Sequence, residues 1–172
     1  NKIVDKIEKA KRNVALKVNE EMTILYWNIG KDITENVLNY ERAEYGKAVI
    51  KKLSQRLTVE YGRGYSSANL FRMLKVYEYY PDFQKFSTLS RKLSWSHFVE
   101  LLQVKDSLKR DFYTTMCENE FWGVRTLRER IGSALFERTA ISKMPEQTIV
   151  NDLKLLNEEN KMTTNLFFRD PY

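Results

Sequence analysis

The sequence predicts a mainly α fold, a multi-helix domain with helix-turn-helix-like units. Three observations predict it. The 172 residues include only 6 Gly and 3 Pro; Leu, Lys, Glu and Arg, which favour helices, are abundant; and apolar side chains recur at steps of three and four rather than alternating. No alternating segment is strong enough to require a sheet, although a small β wing fits between helices. No internal repeat is present, and the length suits a single helical domain spanning 1–172, or two small ones.

Residues 1–45 form a long N-terminal helical segment. Ile7, Ala10, Val14, Val18, Met22, Leu25, Ile29 and Ile33 trace one stripe, and Tyr26, Trp27 and Val37 widen the apolar face. A helix this long and apolar calls for partners beyond a small domain, a dimer contact among them. Residues 46–80 form a helix-turn-helix-like pair. Its first helix, 46–61, sets Val49, Ile50, Leu53 and Leu57 against Lys47, Lys51, Lys52, Gln55 and Arg56. Gly62-Arg63-Gly64 ends it, because glycines permit a left-handed backbone. Ser66 or Ser67 caps the next helix, which runs to about Tyr80 and stops at Pro81. Leu70, Met73, Leu74 and Tyr77 point inward; Ala68, Arg72, Lys75 and Tyr79 point outward, with Asn69 on the flank.

A second helical part covers 90–160. Ser87-Thr88-Leu89-Ser90 reads as a linker, and Ser94 or Ser96 caps a helix from His97 to Leu102. Further helices follow at 105–118, at 121–136 (Trp122, Leu127, Ile131 and Leu135 inward) and around 147–159. The tail 167–172 is mostly extended.

Composition excludes several classes. At 42% hydrophobic and 30% charged the chain is neither disordered nor low-complexity. One Cys and one His exclude a disulfide framework and weigh against a Cys/His metal site. No apolar run approaches a membrane span. The chain opens Asn1-Lys2-Ile3 with no signal segment, as a piece of a cytoplasmic protein would.

The net charge is +6, and its distribution is informative. Residues 47–75 hold Lys47, Lys51, Lys52, Arg56, Arg63, Arg72 and Lys75 against Glu60 alone, so this window accounts for the whole excess. A local basic patch on a neutral background suits a polyanion. In the helix–turn–helix reading, Ser66 and Ser67 hold phosphates at a helix N-terminus, Arg63, Arg72 and Lys75 neutralise the backbone, and Asn69 pairs with an adenine edge. The plainer reading is an αα-hairpin with solvated charges.

The remaining motifs carry less. Ser94-Trp95-Ser96-His97 resembles a serine and its base, but no acid is placed to orient His97, so helix capping explains the serines and Trp95 anchors the helix. Arg125 and Arg128 share a face. Arg125 pairs with Glu129 four residues on, while Arg128 offers a second phosphate contact. Cys117 lacks a basic neighbour and reads as structural. A PD-(D/E)xK nuclease needs an acid followed by acid-x-Lys. Asp82 has no such successor nearby, and Glu159-Asn160-Lys161 lies in a polar helix end. No catalytic or metal-binding residue and no cofactor is assigned.

Tyr26-Trp27-x-Ile29-Gly30, Arg42-Ala43-x-Tyr45-Gly46, Leu53-Ser54 and Tyr61-Gly62-x-Gly64-Tyr65-Ser66-x-x-Asn69-Leu70-x-x-Met73 occur in this order. Leu93-Ser94-Trp95-Ser96-His97, Leu101-Leu102, Trp122-x-Val124-Arg125-x-Leu127, Leu135-x-Glu137-Arg138 and Arg169-Asp170-Pro171-Tyr172 follow. Together they resemble the N-terminal domain of YhcG-type proteins, a bacterial family of undefined function, over nearly the whole chain. The resemblance implies a helical domain of helix-turn-helix character preceding a PD-(D/E)xK nuclease domain. That domain would begin after Tyr172, which agrees with the absence of its carboxylates here. The leading expectation is a DNA-targeting module, with double-stranded DNA, the nuclease domain and a homodimer mate as partners. The alternative is a protein-interaction or dimerisation module without nucleic-acid contact, in which Tyr26, Trp27, Trp95 and Trp122 fill a partner interface.

Overall fold

Asn1 starts the first helix: its side-chain oxygen accepts from the Ile3 N–H at 3.2 Å, and no Gly or Pro intervenes before Gly30. In the computed structural model, which describes residues 1–37, 43–143 and 154, α1 therefore runs unbroken over Lys2–Asp32. It continues into a π-helical turn at Ile33–Val37. The helices α2 (Ala43–Tyr61), α3 (Ser67–Tyr79), α4 (Phe83–Ser90), α5 (Trp95–Leu101), α6 (Ser107–Glu120), α7 (Val124–Gly132) and α8 (Leu135–Lys143) follow. A single 3-10 turn, Arg63–Tyr65, joins α2 to α3. The mainly α expectation holds, and no strand or β wing occurs among the described residues. Nor is any helix there long and apolar enough to cross a membrane.

By its internal contacts the chain divides into two compact units, Asn1–Leu102 and Gln103–Tyr172. The first is organised around α3, whose Leu70, Met73 and Val76 are wholly buried. Ile33 and Ile50 join Leu70 and Met73, with Tyr26, Leu53, Leu57, Tyr65 and Trp95 packed around them. Beyond α3 a second group of rings closes the core, with Phe86 and Phe98 4.7 Å apart and Tyr80 5.2 Å from Phe98.

Two boundaries in this unit differ from the sequence reading. Residues 87–90 are not a linker but the end of α4, which Asp82 caps by accepting from the Lys85 N–H at 2.9 Å. Burial of Phe86 and Leu89 outweighs the weak helix preference of Ser and Thr. α5 begins at Trp95, two residues before the expected start, because Ser94 and His97 form a capping box. His97 Nδ1 accepts from the Ser94 N–H at 3.0 Å and lies 2.8 Å from Ser94 Oγ. A buried histidine thus replaces the usual Glu or Gln of the box, consistent with its structural reading.

In the second unit α6 is central, with every residue from Phe112 to Cys117 buried. The Tyr113 hydroxyl donates to the Arg130 carbonyl at 3.4 Å and accepts from the Phe136 N–H at 3.2 Å. The single helix expected over 121–136 is two, broken at Ser133-Ala134, where Ala134 adopts φ 53°. Gly132 closes α7, yet the left-handed backbone falls on Ala134 two positions on. The expected helix at 147–159, the tail and Glu159-Asn160-Lys161 lie outside the described residues.

Candidate nucleic-acid interface

α2 divides lengthwise. Ile50 and Ser54 are buried and Leu53 and Leu57 half-buried, while Lys47, Lys51, Lys52, Gln55 and Arg56 are exposed. At 3.6 residues per turn the four cations spread over about half of the helix circumference. The helix ends at Gly62, whose φ of 92° only glycine adopts readily. Gly64 shows no such angle, so the turn depends on the first glycine of the pair.

Ser66, not Ser67, caps α3: its Oγ accepts from the Asn69 N–H at 3.4 Å. Ser67 occupies the first helical position, half-buried. The outward face of α3 carries Ala68, Phe71, Arg72 and Lys75, all exposed. Asn69 is bound into the local structure. Its Nδ2 donates to the Gly64 carbonyl at 3.0 Å, and its Oδ1 accepts from Arg72 Nη1 at 2.7 Å. One amide therefore braces the turn and orients the arginine on the next turn of helix.

The seven cations of the window fall into two classes. Arg56 faces Glu60 at 3.5 Å and Lys75 faces Glu78 at 2.8 Å. The Glu78 hydrogen bond raises the Lys75 pKa, and the ammonium lies 5.5 Å from the Tyr79 ring centroid. Among the described residues, Lys47, Lys51, Lys52, Arg63 and Arg72 have no carboxylate partner. Glu78 lies just past the 47–75 window, so the window's charge overstated the free positive charge.

Exposed apolar groups were missed. Tyr45 is 55% exposed, Val59 87%, Tyr61 67% and Phe71 41%. Tyr61 leans edge-on against Tyr65, which in turn meets Tyr26. The outward α3 wheel position of Phe71 was readable from the sequence. The second-unit candidates do not add a comparable patch: Arg125 is paired with Glu129 at 3.1 Å, and Arg128 is exposed on α7. No group of three or more His, Cys, Asp or Glu side chains among the described residues is arranged to hold a metal.

Compared with known sequences, the chain matches the family described as the DUF1016 N-terminal domain over residues 2–138. The chain belongs to the DUF1016 N-terminal domain family. It is also 30% identical, over 170 aligned residues, to the protein named "Putative nuclease YhcG" of Escherichia coli (strain K12). The alignment covers 81% of this chain and 45% of that relative, so the chain spans less than half the length of the curated relative. No solved structure matches it. In this DUF1016 N-terminal domain the motifs behind the resemblance are mostly structural. Tyr26, Trp27 and Gly30 hold α3, and Ser94 and His97 start α5.

Proposed function

We propose that the α2–turn–α3 segment is a DNA-targeting surface that acts on behalf of a nuclease domain elsewhere in the full-length protein. The observation that carries this reading is the set of five exposed cations without a carboxylate partner, Lys47, Lys51, Lys52, Arg63 and Arg72, in 26 consecutive positions of one helical pair. They flank a capped helix whose first turn is small and polar, the form suited to lie against phosphates and approach a groove. The relative's name, a nuclease, supplies the association with nucleic-acid cleavage. Within this chain the candidate surface binds and positions; it holds no paired acids or nucleophile for the chemistry.

Fluorescence anisotropy with labelled duplex DNA tests the proposal. Five phosphate contacts give a salt slope near 4.5, so affinity should fall about 500-fold between about 50 and 200 mM salt. Absence of binding at the lower salt would overturn it.

A further inference from the structure

α1 has two apolar faces. One, through Thr23, Trp27 and Gly30, is buried. The other meets solvent: Ile3 is 67% exposed, Ile7 48%, Val14 65%, Val18 54% and Leu25 40%, with Ala10 also exposed between them. At about 100° per residue these six side chains fall within about 80° of arc, on the side opposite Thr23 and Gly30. Glu21 falls in the same arc, the exposed Val4 lies beside it and the exposed Leu16 on the far side. Ile3, Val14 and Leu25 are spaced by eleven residues, as are Ile7 and Val18, so the stripe follows a nearly straight helix rather than a left-handed supercoil. Residues 1–19 are exposed on every side, whereas helices in proteins draw most of their stability from packing an apolar face.

The width and chemistry of the stripe identify the occupant. A helix lying on a membrane shows a broad face rich in Trp, Phe and Leu, whereas this seam is narrow and mostly Ile and Val, as helix–helix seams are. Charge then selects the partner and its direction. Residues 2–17 carry six basic side chains and two acidic ones, whereas 18–32 carry three acidic and one basic. Two α1 helices side by side in parallel would stack positive on positive. Antiparallel, each basic half meets the acidic half of its mate, in which Glu20 and Glu21 also face Lys17, and Glu20 faces Arg91, of their own chain.

We infer that α1 pairs with α1 of a second copy of this chain in antiparallel orientation along the Ile3–Leu25 stripe. In the register that sets apolar against apolar, Ile7 lies opposite the partner's Leu25 and Val14 opposite the partner's Val18. The same register sets Lys11 opposite the partner's Glu21. This pairing stands independently of any DNA contact.

Light scattering on the full chain at micromolar concentration should read twice the mass of one chain. Val14→Glu, at an exposed site away from the core, should halve that mass while leaving tryptophan-monitored unfolding of the rest unchanged. Orientation is read by disulfide trapping against a silent background, since Cys117 is buried. Mixed Ile7→Cys and Leu25→Cys chains should cross-link to each other. In a parallel pair those positions would sit about 27 Å apart. A monomer at every concentration would overturn the inference, as would Ile7→Cys chains that cross-link only among themselves.

Discussion

Gly30 and Met73 bring the backbones of α1 and α3 into direct contact: a Cβ at Gly30 would lie 2.2 Å from the Met73 carbonyl oxygen. Around this crossing, α1 also reaches both ends of α3. Tyr26 packs against Tyr65 in the preceding turn, 6.3 Å between centroids, and Trp27 Nε1 donates to the carbonyl of Tyr80, the C-terminal cap residue, at 2.7 Å. One short motif thus fixes where α3 begins, how closely it approaches and where it ends. The proposed DNA surface is the outward side of the helix so held.

Gly30→Ala should destabilise the chain. Helix propensity alone would favour alanine by about 1 kcal/mol. The obstacle is backbone, however, and cannot rotate away, so α1 and α3 must separate and loosen the packing around Leu70 and Met73. A net loss of about 2 kcal/mol is expected, within the range for overpacked cores. Urea unfolding monitored by tryptophan fluorescence reads it. A midpoint shifted upward would show that the crossing has slack.

Trp27→Phe should cost about 1–3 kcal/mol by removing a buried hydrogen bond to Tyr80 while keeping an aromatic ring. Trp27→Ala should cost more, about 3–5 kcal/mol, since the ring also packs against Tyr77, Phe83 and Phe86. If both variants unfold at the same midpoint, the indole N–H rather than the ring dominates the site.

The sequence made the helices and the basic window legible because both are local. Apolar spacing located α2, α3 and α6, and the Gly62 turn fell where expected. What it missed depends on tertiary contacts. Phe86 and Leu89 draw a Ser/Thr-rich stretch into α4, and the break after α7 sets a left-handed backbone on Ala134 rather than on Gly132. The window sum also hid α1's polarity, since its basic half is offset elsewhere in the chain. Asn69 was readable as a polar residue near a helix start, but not as the brace between Gly64 and Arg72.

Asn69→Ala should lower stability by about 1 kcal/mol through loss of that brace. It should also weaken DNA binding by a similar factor on every sequence, because both ends of the amide are engaged within the chain. Thermal unfolding beside anisotropy on several duplexes measures the two effects. Relaxed sequence preference at unchanged stability would instead restore the adenine-reading role.

The cations should differ in their effect on binding according to their pairing. Replacing Arg63 and Arg72 together should reduce the salt slope by about 2. Lys75→Ala and Arg56→Ala should change it less, because Glu78 and Glu60 already neutralise those groups locally. Equal slopes for all four single variants would mean that the carboxylates swing away on binding and the pairing does not grade the surface.

Cys117 should be silent in the folded chain and titrate only on unfolding. Burial pushes its thiol pKa up to about 12 from an ordinary 9.0, because the thiolate is costly to bury. At pH about 8 a thiol reagent such as DTNB should therefore find no reactive group until urea opens the chain, and then one per molecule. The sign of the stability effect follows from proton binding. Between about 9 and 12 the folded state keeps a proton that the unfolded chain has released. The contribution is thus full below the ordinary thiol pKa and declines as pH rises towards the folded value, by about 1.4 kcal/mol per pH unit. Subtracting the profile of Cys117→Ala from that of the natural chain isolates this slope from the titration of Lys and Tyr. Rapid labelling of folded protein, or a flat difference profile over that interval, would show that the thiol reaches solvent and that α6 opens where the structure has it packed.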